Sequence, residues 1–278
     1  MNVRMVNATF EDRNRTDFDP EANTDQFISH IPDYHAHGIR AFTLCLQGGM
    51  PDYEGALNSA FNPNGSLRQN YLDRMARVIR ASDQHGVAII LGCYYQRQDQ
   101  VLENADAIRQ GVVNVAQWIS DQKFTNVMIE VANEYAHRGF THNIIRDPKG
   151  QVELIQLAKQ TAPQLIVTTS GMGSGRLDER IADVADFLII HFNNTDMADV
   201  PERINALKHL NKPIVCNEDT KVNARGAEVA SLCVQHRCSW GLMHRTVNQR
   251  YPFVFEGAKD DPQTYQRLKE LTTAQDPS

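Results

Sequence analysis

Eight short apolar runs, spaced along the whole chain and separated by longer segments of helical period, restrict this sequence more than any other feature. Parallel strands need a crossover between them, usually a helix, so the alternation is the pattern of repeated βα units. The strand candidates are residues 3–10, 40–46, 87–93, 126–132, 165–170, 187–192, 213–217 and 239–244. Most are nearly unbroken in apolar residues, as expected of strands covered on both faces. Between them, Leu72, Met75 and Ile79 share one helical face, as do Ile108, Val112, Val115 and Ile119, and then Ile204, Leu207 and Leu210. Stop signals stand just before strands: Gly86 before Val87, Pro163 before Leu165, and Asn211 with Pro213 before Ile214. A last helix after about residue 261, carrying Tyr265, Leu268 and Leu271, is placed to close a ring, with a frayed tail after Thr273. The expectation is one α/β domain over residues 1–278, a single (β/α)8 barrel of the TIM type. An open doubly wound sheet is the competing fold, and the similar spacing of the strands favours closure.

Composition removes several function classes. The chain is 41% hydrophobic and 22% charged, ordinary for a globular protein with a sizeable core. A formal net charge of -6, without a basic run or basic amphipathic helix, favours neither nucleic acid nor an anionic membrane as partner. No apolar stretch is long enough for a span, and the N-terminus has no secretion-signal pattern, so a soluble chain is expected, cytoplasmic or secreted with its signal removed. The five cysteines are odd in number and four sit in apolar runs, which reads as buried free thiols rather than a disulfide framework.

In a parallel barrel the loops at the carboxyl ends of the strands form the shared mouth, so strand ends are where chemistry is sought. The fourth strand ends Glu130-Val131-Ala132-Asn133-Glu134, and the seventh reads Lys212-Pro213-Ile214-Val215-Cys216-Asn217-Glu218. Each delivers a glutamate to the rim. On these two motifs the chain resembles the cellulase-like glycoside hydrolases of clan A, particularly family 5, over a fold-length frame. The resemblance implies hydrolysis of a β-linked glycoside, oligosaccharide or polysaccharide with retention of configuration. Glu134 would be the acid/base and Glu218 the nucleophile, with no cofactor and no metal. Two carboxyls suit that reaction because one proton must be given and one positive centre stabilised by like groups in different environments. The resemblance also implies that Asn133 donates to the sugar 2-hydroxyl. Glu130, about one strand repeat below the rim, reads as structural.

Further residues follow from the same likeness. His191, ending the sixth strand, is expected to contact substrate or nucleophile. Asn193 stands where the family often has Tyr and is a candidate donor to Glu218. Trp240 is the one candidate in the eighth strand for a platform under the sugar ring, and equally a candidate for the core; Tyr94 and Tyr95 either stack on sugar or pack. Tyr135 and Thr43 stand where the family commonly has Pro and, near strand two, Arg.

Loops on the catalytic side carry Arg13, Arg15, Arg97, Arg138, Arg176, Lys221, Arg245 and Arg250, which an anionic sugar would explain, but Glu11, Asp12, Asp52, Asp99, Asp196 and Asp219 share those loops. His35-Ala36-His37 reads as a helix C-terminus rather than a metal site, and the Gly171–Gly175 run as a turn rather than a phosphate cradle. Two rivals to the glycosidase reading remain: a barrel that binds carbohydrate without cleaving it, and a metal-assisted hydrolase of the same fold.

Overall fold

The computed structural model describes residues 1–48, 56–172 and 176–274. Its strands are β1 (Asn2–Arg4), β2 (Ala41–Cys45), β3 (Ala88–Tyr94), β4 (Val127–Ala132), β5 (Ile166–Thr168), β6 (Leu188–His191), β7 (Ile214–Glu218), β8 (Cys238–Ser239) and β9 (Gly241–Leu242). All ladders are parallel, in the orders β5-β4-β3-β2-β1-β9 and β6-β7-β8. Parallel bridges Ser170 to Ile189 and Asp219 to Leu242 join the two sheets, so the ring closes into a (β/α)8 barrel. β8 and β9 are halves of one eighth strand, interrupted at Trp240.

The helices are α1 (Pro20–Ala36), α2 (Gln69–Gln84), α3 (Ala105–Asp121), α4 (Asn143–Arg146), α5 (Pro148–Thr161), α6 (Glu179–Val184), α7 (Val200–Asn205), α8 (Asn223–Gln235) and α9 (Pro262–Thr273). The apolar stripes of α2 and α3 are buried against the sheet, and Tyr265 and Leu268 of α9 are fully buried. Each completely buried side chain of this kind contributes roughly 1.5–3 kcal/mol. Asp19, Asn104, Asp147, Asp178 and Asp261 cap helix N-termini with their carboxylate or amide oxygens. His35 and His37 sit at the end of α1, where His37 Nδ1 lies 2.9 Å from Asp33 O, and Gly38 follows with φ +88°. All five cysteines are free and buried.

Three expectations need correction. The first strand ends at Arg4 rather than residue 10, because Val6 to Thr9 form a turn in which the amide of Ala8 donates to Met5 O and that of Phe10 to Asn7 O. The eighth is broken rather than continuous. The stripe Ile204, Leu207 and Leu210 belongs to short α7 followed by a 3-10 turn over Lys208–Leu210, not to one long helix. Asp52 and residues 173–175 of the glycine run lie outside the described residues.

Candidate active site

β4 and β7 deliver their glutamates by two local distortions. Glu134 follows β4 in the left-handed region, φ +51°, which costs a non-glycine residue of order 1 kcal/mol or more. The conformation is fixed by its own amide donating to Ser170 Oγ at 2.8 Å and its carbonyl accepting from the His137 amide at 2.7 Å. On the other side, Ile190 pairs with Cys216 but His191 pairs with Glu218, so Asn217 is an extra residue on β7. Such a bulge re-aims the side chain that follows it.

The result is a compact charged cluster. One carboxylate oxygen of Glu134, one of Glu218 and a ring nitrogen of His191 lie within 4.8 Å of one another. His191 Nδ1 is 3.0 Å from Glu134 Oε1 and 3.8 Å from Glu218 Oε2. Arg4 of β1 places Nε 3.0 Å from Glu218 Oε2 and donates from Nη2 to Asn133 Oδ1 at 2.9 Å. The Asn193 amide donates to Glu218 Oε1. His191 and Arg4 are fully buried, whereas 14% of the Glu134 side chain and 6% of Glu218 stay exposed, so it is the carboxylates that face the opening.

These contacts set the charges. Burial pushes the Glu134 carboxyl up, but the hydrogen bond and charge of His191 outweigh it and hold the group below the ordinary carboxylate range. Burial works against the His191 imidazolium, yet Glu218 and Glu134 beside it raise its pKa. Arg4 likewise overcomes burial through Glu218. Glu130 has no such net support: burial, its largest influence, raises its pKa, and its Oε2 accepts from Asn217 Nδ2 at 3.2 Å. It is wholly buried beneath the site, as a structural role requires. Nearby thiols are quiet; burial pushes Cys45 up to about 12.

Around the carboxylates is a cleft of about 200 Å³, lined among others by Tyr95, Gln96, His137, Asn193, Arg245 and Gln249. Of the residues expected here, Glu134, Glu218, Asn193 and Tyr95 line it. Asn133 and His191 sit one layer behind, fully buried, and Asn133 Nδ2 donates to Gln96 Oε1 at 3.3 Å. Tyr94 is corrected: it faces the helix layer, packs on Phe61 and donates its hydroxyl to Ile108 O. Trp240 is corrected in turn, because the ring is fully buried and its Nε1 donates to Asp219 Oδ2 at 2.9 Å.

Sequence reasoning passed over Arg4, although a charge inside an apolar strand always demands a partner. Arg4 lies beside Thr43, its partner in the β1–β2 register. The carboxylate–imidazole cluster also has donors a metal could use, but the Arg4 guanidinium already holds Glu218 Oε2 and, with a His191 of raised basicity, opposes a further cation.

No protein-family model matches the sequence, and no curated protein matches it. The fold does have likenesses among solved structures. A broad-specificity endoglucanase of glycoside hydrolase family 5 from Clostridium longisporum superposes with a TM-score of 0.67 at 10% identity, covering 98% of this chain and 94% of the other. A hyperthermostable endo-1,4-β-D-mannanase from Thermotoga petrophila gives 0.63 at 13% identity, covering 98% of each. A glycoside hydrolase family 5 enzyme from Prevotella bryantii gives 0.66 at 10%, covering 98% and 95%. At such identities the likeness is one of fold.

Proposed function

We propose that this chain is a glycoside hydrolase that cleaves a β-linked glycoside with retention of configuration, Glu218 being the nucleophile and Glu134 the acid/base. The observation that carries the reading is the pair of carboxylates opening on one cleft with oxygens within 4.8 Å. Retaining enzymes hold their two carboxyls about 5–5.5 Å apart, whereas inverting ones leave a wider gap for water. The solved structures similar in fold are enzymes of this chemistry, which supports the same reading.

In the first step Glu218 attacks the anomeric carbon as the bond to the leaving oxygen breaks, giving a glycosyl ester on Glu218. The leaving oxygen takes a proton from Glu134. That proton needs a source, because Glu134 is held low and His191 high; the resting pair keeps it on His191 Nδ1, along the 3.0 Å contact to Glu134 Oε1. A sugar filling the cleft removes water from Glu134 and favours its neutral form, so the proton moves along that bond. In the second step water adds to the anomeric carbon, gives its proton to the Glu134–His191 pair and releases Glu218. Arg4 and Asn193 keep the Glu218 carboxylate ionised and oriented for attack.

The test is a screen of aryl β-glycosides and polysaccharides, with product anomers read by NMR. Retained configuration is expected; inverted product contradicts the role of Glu218. Sugar binding without turnover would select the non-catalytic rival, and loss of turnover on exhaustive chelation the metal-assisted one.

A further inference from the structure

We propose that the sugar unit held in this cleft carries a carboxylate, as a uronic acid does, and that Arg245 binds it. The inference rests on the glycosidase reading and specifies its substrate class. At the reaction centre Glu134 and Glu218 are already opposed by Arg4 and His191. Beyond those two glutamates, the cleft is lined by Arg245 and His137 but by no further carboxylate among the described residues.

Four of the acids that share the rim loops are committed elsewhere. Glu11 is held by Arg68 and Arg74, Asp99 accepts from the amides of Thr141 and His142, and Asp219 pairs with Lys221 at 3.0 Å and with Trp240. Asp12 Oδ1 accepts from the Asn14 and Leu57 amides. Arg245 has no ion pair among the described residues and stays exposed.

Among the described residues the cleft has no exposed ring platform. Neutral sugars offer an apolar face to exposed aromatic rings, but the one aromatic in the lining, Tyr95, is 6% exposed and lies under the Arg4 guanidinium at 5.8 Å. Recognition therefore falls to hydrogen bonds and charge. The planar guanidinium fork fits a carboxylate through two parallel N–H donors. His137 Nδ1 accepts from the Gly139 amide at 3.0 Å, which leaves the proton of the neutral ring on Nε2 as a second donor.

The experiment measures binding rather than turnover. Glucuronate, galacturonate and mannuronate are titrated into the intact protein beside glucose, galactose and mannose. At least one uronate is expected to bind about tenfold more tightly than its neutral parent, the range of one charge-assisted pair. That preference should vanish in Arg245→Gln and return in part in Arg245→Lys. Absence of any preference, or a preference that survives Arg245→Gln, overturns the proposal. Cleavage of neutral glycosides without uronate preference would leave the glycosidase reading intact and sink this one. Uronate binding through Arg245 without cleavage of any glycoside would do the reverse.

Discussion

The two ends of this barrel differ in kind. At the carboxyl ends of the strands a cleft of about 200 Å³ gathers Glu134 and Glu218, backed by Arg4 and His191. At the opposite end lies a larger hollow of about 640 Å³, lined by Ile90, Met128, Phe187 and Val215, whose one ion pair, Lys159–Asp186 at 2.6 Å, belongs to the helix layer and its following loop. The larger space has the weaker claim to chemistry. Reaction needs charged groups converging where their protonation states are set by neighbours, and only the smaller cleft has that. The hollow offers apolar area, which governs stability.

The sharpest way to break this contrast is Glu218→Gln. Turnover should fall by on the order of 10^4 or more, as when a nucleophile is removed, measured in single-turnover assays on the best glycoside of the screen. Retained turnover would move the chemistry elsewhere. Next come the two ion pairs. Arg4→Leu strips a fully buried partner from Glu218 and should cost about 3 kcal/mol in urea unfolding, the lower part of the range for a broken buried pair because Glu218 keeps a little exposure. Lys159→Met, at a pair about one-third exposed on both sides, should cost less than about 1 kcal/mol. Equal costs would erase the distinction between the ends.

How much of this was legible in the chain depends on what each residue must know about distant ones. Most strands and helices were, because apolar runs and 3.6-residue stripes are local, and so was the position of Glu134 and Glu218 at the rim, because one follows a strand and the other ends one. The two tyrosines were not separable. Successive residues on a strand face opposite ways, so a register of one residue sends Tyr94 to α3 and Tyr95 to the cleft. Trp240 misled for a related reason: an aromatic in the eighth apolar run fits platform and core alike, and only the break between β8 and β9 buries its ring. Arg4 announced its need for a partner, yet nothing within β1 could name an acid more than two hundred residues away.

His191→Asn sharpens the contrast on the pH axis. In the native chain the alkaline limb of kcat/KM should follow loss of the shared proton, at the raised pKa of His191. Without the imidazolium only burial and weaker charges act on Glu134, so its pKa rises. The limb then reports a carboxyl and moves to lower pH, with kcat down by about 10^2. Stability responds with a definite sign. The raised His191 pKa stabilises fully below its unfolded value of 6.5 and ceases to as pH climbs through the folded one. The lowered Glu134 pKa stabilises above 4.5 and is lost as pH falls through its folded value. A Tm plateau between those values should flatten in the variant; an unchanged profile would show that the pair is not coupled.

The smallest expected effect is at the other end. Met128 is partly exposed at the hollow and packs on the separate apolar cluster of Ile90, Phe187 and Ile189. Its truncation in Met128→Ala enlarges a space that is already open, so the cost should be about 1 kcal/mol, below the 2–5 kcal/mol of a fully buried site. Because none of the residues of that cluster lines the cleft or titrates, kcat and its pH profile should stay as they are. A change in the alkaline limb of Met128→Ala would mean that the apolar end sets the protonation of the catalytic end through β4, whose Glu130 lies between the two, and the division of labour argued above would fail.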